Sequence, residues 1–345
     1  VQVPPITHAR VDRVDVLRQG ITPQSRAIEI GPLDNPILPK PAYDAVYLDY
    51  TTADALRAKY ADDSTRGPIV DIDWLWDGSG PLPPAIAEQG SIDAVVASHV
   101  LEHVPDPLGW LGHVANVLRP GGTIALALPD KRFTFDVNRR LTEFSDLLDA
   151  HLRRATLPSY AQLFDYHTKA VSVEASLLWD GLADYSDSKR PGDLELEAYN
   201  GCVALRAGGP YVDVHCHTFT PTSFVDLFDR ASAFGLVDYT IAKLIPTQRS
   251  MWEFFVQLER VDPADTSRAR ADAGIARARL AIANGPVPAV PPDRGLAAVA
   301  PPGASWYLVS DRELRLLQVK RSARTAVRRR VRALLDVVRR PENLS

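Results

Sequence analysis

Cysteine is scarce in this sequence: Cys202 and Cys216 are the two in 345 residues. Two such residues build neither a disulfide framework nor a zinc-ligand spacing, and they fit a reducing compartment. No apolar run approaches the roughly 20 residues of a membrane span. The opening VQVPPITHARVDRVDVLRQG lacks the apolar core of a signal peptide, so a cytoplasmic location is expected. GxGxxG is also missing, which removes support for a nicotinamide dehydrogenase. No internal repeat is visible. What remains is ordinary for a globular chain: 46% hydrophobic and 24% charged residues, with length for one large domain plus additions, or for two.

The net charge of −4 conceals an asymmetry. Residues Arg312–Arg340 carry eleven Lys/Arg against two acids, +9, which leaves −13 for the rest. An acidic body and a basic tail suit different partners.

The chain is organised around Arg26–Asp49. Two short apolar runs, Ala27–Ile30 and Ala45–Leu48, end in Glu29-Ile30-Gly31 and Asp49, and the acids lie twenty residues apart. In a doubly wound parallel sheet, ligands bind beyond the carboxyl ends of the strands, and an acid at about this distance holds a ribose. Between the runs, Pro32, Pro36, Pro39 and Pro41 crowd the crossover. They remove N–H donors and disfavour helix, so a loop or single turn is expected there.

Residues 1–25 read as a lead-in with a short helix at Val11–Leu17. Thr51–Tyr60 reads as a helix, Ile69–Trp74 as a third strand and Ile92–Ser98 as a fourth, continuously apolar as a buried parallel strand is. A helix over Pro107–Leu118 stops at the breakers Arg119-Pro120-Gly121-Gly122, and Thr123–Leu128 is a fifth strand. The rhythm fails over about 130–214, which reads as an inserted cap with helices at Leu141–Arg154 and Ser172–Leu182. Asp213–Phe219 is extended. Thr222–Phe234 is helical, with Thr220 or Thr222 as N-cap. Leu236–Leu244 and Met251–Leu258 form a terminal strand pair. Within 261–303, a helix at Arg268–Ala283 leads to a proline-rich linker, and 304–345 holds a long basic helix from Asp311 to Arg340.

The order strand, EIG loop, strand, Asp, then IDAVVASHVLEHVPDP, helix, LRPGG and strand resembles the class I S-adenosylmethionine-dependent methyltransferases. It looks most like the subgroup found with bacterial polysaccharide and cell-envelope synthesis genes. The resemblance runs from Ala27 to Leu128 and resumes at His215–Glu259. It implies an α/β fold for residues 26–260: a Rossmann-like, doubly wound, seven-stranded and mostly parallel sheet, its last pair antiparallel, with the inserted cap and a C-terminal helical extension. S-adenosylmethionine is the implied cofactor. Glu29 and Gly31 match the start of the family's first motif, the acid suiting the cofactor's ammonium directly or through water. The later glycines of that motif are replaced by Pro32, Asp34, Asn35 and Pro36. Asp49 matches the acid that accepts from both ribose hydroxyls, a task for an acceptor-only carboxylate. Asp73, in preference to Asp71, matches the acid near the adenine amino group. Ser98 and His99 fall beside the methyl sulfonium. The bland readings are a strand-end surface acid for Glu29 and a turn residue for Asp49.

Methyl transfer to a hydroxyl asks the enzyme to position the acceptor and remove its proton. Candidate bases are His99, Asp130, His215 and His217, with His151 and His167 behind them, although for any single histidine a structural role is the better expectation. His215 and His217 share a face of an extended segment; the resemblance leaves a metal role open for them, since some sugar methyltransferases use a divalent ion, but no carboxylate partner is spaced for them, so no metal is expected. Lys131 and Arg132 suit an anionic acceptor or an ordinary solvated cluster. The cap's aromatics suit sugar stacking or their own core. The basic tail helix suits a membrane surface, hence a place at the inner membrane face, or self-association; no specific nucleic acid is expected. The functional expectation is methyl transfer to a hydroxyl of a sugar or glycan intermediate. The rivals are a methyltransferase for a small natural product or lipid, and a non-catalytic scaffold with a degenerate cofactor site.

Overall fold

Seven strands form a single sheet in the order β3-β2-β1-β4-β5-β7-β6. They are β1 (Ala27–Ile30), β2 (Ala45–Asp49), β3 (Trp74–Leu75), β4 (Ile92–Ser98), β5 (Leu118–Pro129), β6 (Tyr239–Ile245) and β7 (Glu253–Arg260). The first five run parallel; β7 is antiparallel to both β5 and β6. This is the expected Rossmann-like sheet, and its order reverses between β1 and β4, where such sheets bind ligands. The computed structural model describes residues 11–86, 88, 90–182, 191–262 and 268–288. The basic helix expected over Asp311–Arg340, and most of the linker before it, lie outside them.

The nine helices of the described residues are α1 (Arg13–Leu17), α2 (Ala53–Lys59), α3 (Pro107–Val117), α4 (Phe144–Arg153), α5 (Tyr160–Lys169), α6 (Ala175–Trp179), α7 (Pro191–Arg206), α8 (Pro221–Ala233) and α9 (Arg268–Ala283). Strand alternation sorts the sheet into two unequal faces. Ile28, Ile30, Leu48, Val95, Ile124, Leu126 and Val256 point to one face, where α3, α8 and α9 pack on them. Ala27, Ala45, Ala94, Val96, Ala125 and Ala127 point to the other. That small-residue face takes thin cover: Leu17 of α1, with Ile37 and Leu38 of the proline-rich loop. The expected absence of a first crossover helix is thus observed.

Local signals set the helix starts. Thr220 accepts from the Ser223 N–H, with Pro221 in the first turn, and Thr52 and Asp106 cap α2 and α3. The third strand differs from expectation. It is the two residues Trp74–Leu75, and Asp71 lies outside it, exposed and paired with Arg57. Alternating Asp71 and Asp73 keep the earlier residues from burying a second face. The fifth strand starts earlier than expected, at Leu118, because residues 119–122 bulge out between the Ile92–Leu118 and Ala94–Thr123 pairs. The insertion holds four helices where two were expected. Leu163, Leu205, Val214 and Cys216 make it a small core of its own, and Phe133 stacks on Trp179 at 4.2 Å.

Candidate active site at the carboxyl edge

Four of the five parallel strands deliver one residue to the same edge: Gly31 after β1, Asp49 on β2, Ser98 on β4 and Asp130 after β5. Glu253 arrives there from the opposite direction, paired with Pro129. Gly31 has φ +70°, and a Cβ there would stand 3.1 Å from Val100. Backbone alone fits this turn, and a ligand can approach it closely. Gly31→Ala is expected to cost about 1–2 kcal/mol, read as a lower urea midpoint with unchanged slope.

Asp49 is 4% exposed. Its carboxylate accepts from the Thr51 N–H at 3.3 Å and keeps acceptor capacity for two hydroxyls. Burial, reinforced by the negative charge of Asp213, pushes it up to about 6. A buried carboxylate short of donors is what a ribose diol satisfies, so the site fits the nucleoside of the implied cofactor. The ionised form accepts both hydroxyls. Cofactor affinity is therefore expected to be level above about pH 7 and to fall, approaching tenfold per pH unit, below about pH 6, measured by calorimetry across a pH series.

Glu29 departs from expectation. Its side chain lies on the small-residue face, where Oε1 accepts from Ile37 N–H at 2.6 Å and Oε2 from Leu38 N–H at 2.8 Å. It clamps the proline-rich loop, and both oxygens are spent there rather than on an ammonium. Burial pushes it up to about 7 against the pull of those two N–H groups. Asp73 is also engaged, accepting from Tyr47 N–H at 2.7 Å and from Lys40, so its carboxylate braces β2 instead of standing open for adenine. Ser98 accepts from Arg13.

His99 has φ +57°, an uncommon conformation for a non-glycine residue. Its ring stacks on Trp252 at 4.5 Å. Nε2 lies 2.7 Å from Glu253 and Nδ1 3.3 Å from Glu102. Burial opposes protonation of this ring, but the pull of the two carboxylates outweighs it and raises the pKa. A ring held between two acids is stabilised in its protonated form, which does not suit the free base expected of His99.

Two further candidates are structural. Asp130 is fully buried, caps the turn Lys131–Phe133, and is bound by Arg132 and by Thr247 at 2.7 Å; it has no path to an acceptor. His217 is buried between the Pro105 carbonyl, 3.3 Å away, and Thr142, and burial pushes it down to about 4. Its partner in the pattern, His215, has a different setting. Nδ1 lies 2.6 Å from Asp136, itself paired with Arg139 at 2.8 Å, and the ring meets that of His103 at 4.6 Å. His103 Nδ1 lies 2.7 Å from Asp213. Tyr211 donates to the His103 carbonyl and meets the Tyr50 ring at a tilt, 5.5 Å between centroids, next to Asp49, while Lys59 bridges Asp213 and Tyr50. The Tyr211–Thr220 return thus carries His215 to the nucleoside side of the edge.

Glu102, Arg13, Glu253, Asp213 and Asp136 were not singled out as site residues in the sequence. Glu102-His103 stood within the SHVLEHVPDP signature. Arg13 and Glu253 meet Ser98 and His99 only through the fold.

Residues 13–167 match the family model of a methyltransferase domain. The ubiquinone biosynthesis O-methyltransferase of Xanthomonas campestris pv. campestris is 49% identical over 43 residues, 12% of this chain and 18% of that protein. The chain therefore spans under a fifth of that relative. Among solved structures, one described as a zinc-dependent alcohol dehydrogenase from Rhodobacter sphaeroides has 17% identity and TM-score 0.41, covering 72% of this chain and 89% of its own. A SAM-dependent methyltransferase from Methanosarcina mazei has 14% identity and TM-score 0.37, covering 71% and 97%. Those two likenesses add nothing to the fold, which the strand order already defines. Residues 13–167 are thus similar to a methyltransferase domain, and that span includes β1 to β5 and the edge that holds Asp49.

Proposed function

We propose that this protein methylates an acceptor hydroxyl, on a sugar or glycan-type intermediate, at the carboxyl edge between β1 and β4. The observation that carries the reading is the buried, donor-poor Asp49 within the span matched as a methyltransferase domain. S-adenosylmethionine supplies the activated methyl group when bound. Asp49 holds its ribose, and the Gly31 backbone lies against its methionine part. Arg13, at the same edge beside Ser98 and Glu253, supplies the cation for its carboxylate. The group around Glu102 and His215 stands on the acceptor side and positions the hydroxyl for transfer.

O-methylation is supported by the name of the partial relative, and the glycan acceptor by the motif resemblance alone. A lipid or small natural product is the second reading, favoured by that same relative's name. The basic tail would hold the protein at a membrane surface or to a second copy; no described helix is long and apolar enough to cross a membrane. The test is incorporation of tritiated methyl from labelled cofactor. Label in a glycan fraction supports the first reading, and label in the organic extract supports the second. No label in any fraction, with cofactor bound, leaves a non-catalytic binding protein.

A further inference from the structure

Glu102 is the unusual group in this molecule. It is 0% exposed, and neither oxygen has a hydrogen-bond partner of acceptable geometry. A buried carboxylate whose nearest charged partner, His99, is shared with Glu253 is disfavoured unless a further cation completes it. The nearest imidazole, His99, is 3.3 Å from Oε1 but lies closer, at 2.7 Å, to Glu253. His103 and His215 complete the surroundings, and one ligand atom from each of Glu102, His103 and His215 falls within 4.8 Å of the others.

The histidines are already oriented. His103 directs Nδ1 at Asp213, and His215 directs Nδ1 at Asp136. Each carboxylate fixes its ring and leaves Nε2 for the cluster, the carboxylate–histidine arrangement that supports metal ligands. Arg139 anchors the outer shell, bonding both Asp136 and the His215 carbonyl at 2.8 Å.

We infer that Glu102, His103 and His215 form a divalent metal site for an ion of the zinc type. Two imidazoles and one carboxylate select such an ion over magnesium, which prefers oxygen. At bond lengths near 2.1 Å, tetrahedral ligand atoms stand about 3.4 Å apart, a separation that small side-chain rotations reach from the present spacing. Three protein ligands leave one position open. The turn Leu101–His103 follows β4, at the end of the sheet where Asp49 closes β2. No metal was expected from the sequence because Glu102 and His215 lie more than a hundred residues apart. Metal binding itself does not depend on the methyltransferase reading. Its use, orienting and acidifying an acceptor oxygen, does.

The test uses the untagged full chain, stripped with a chelator and titrated with zinc by calorimetry and with cobalt by visible absorption. One equivalent per chain is expected, with the ligand-field bands of a four-coordinate cobalt site. Glu102→Gln and His215→Ala each weaken zinc binding by at least about tenfold, Asp136→Asn weakens it by about 10–100-fold, and His113→Ala leaves it unchanged. Should the His215 variant fail to fold, the cobalt spectrum of the wild type still decides. Absence of stoichiometric zinc and of the cobalt bands overturns the site, as does zinc affinity indifferent to Glu102→Gln. S-adenosylhomocysteine binding to the stripped protein separates the two readings: its retention alongside failed zinc binding removes the metal and keeps the cofactor site.

Discussion

Replacing Asp49 by alanine is expected to weaken S-adenosylmethionine binding by about 10²–10³-fold, from the loss of two hydrogen bonds to a charged acceptor worth roughly 1.5–3 kcal/mol each. The expected size is large because Asp49 is buried at the end of a central parallel strand with one N–H contact at 3.3 Å. No neighbouring acceptor can replace it: Asp213 is bound by His103 and Lys59, and Asp73 by Tyr47 and Lys40. The folded state should not suffer. Asp49 resists ionisation in its buried place, so its removal relieves an unfavourable burial. The ratio of calorimetric dissociation constants, with thermal midpoints as control, checks both parts. Asp49→Asn retains one acceptor oxygen and should fall between wild type and alanine.

Glu29→Gln is expected to destabilise the protein by about 2–4 kcal/mol. Both carboxylate oxygens accept backbone N–H groups, from Ile37 and Leu38. A glutamine presents one oxygen and one NH₂, so one buried N–H loses its acceptor and faces another donor. Those N–H groups belong to the residues that cover the small-residue face of the sheet, and burying each of the two side chains is worth about 1.5–3 kcal/mol. Tyr47 donates to the Leu38 carbonyl at 2.7 Å, and Arg18 to that of Ile37, so the loop is held from both sides once Glu29 sets it. Urea denaturation measures the loss. Hydrogen exchange at 37 and 38 locates it, with both amides losing protection ahead of the sheet.

Much of this architecture was legible from period and punctuation. The apolar runs at Ala27, Ala45 and Ile92 became parallel strands, the proline cluster replaced a crossover helix, and Thr220-Pro221 opened α8. The third strand was misplaced because Ile69–Trp74 alternates like a strand, whereas only its last residue, Trp74, joins Leu75 in pairing with β2. The site was half legible. The place of Asp49 at the end of β2 followed from its spacing to the first turn. The direction in which Glu29 points did not, since one residue of register decides whether a strand side chain reaches one face or the other. His215 and His217 looked equivalent by alternation; what separates them is the company each keeps after the insertion folds back, Asp136 and His103 for one, a carbonyl and Thr142 for the other. Glu102 looked like part of a signature, and its full burial without a well-formed hydrogen bond, beside His103 and His215, is what makes it a candidate ligand.

Hydrogen exchange of the full chain with and without S-adenosylmethionine tests the cofactor edge most directly. Added protection is expected in the backbone at Gly31, at Tyr50–Thr51 and across Ser98–His103, and it should be absent in the Asp49→Ala variant. No protection in those three segments at saturating cofactor, or protection confined to other parts of the sheet, would contradict the assignment of this edge as the methyl-donor site.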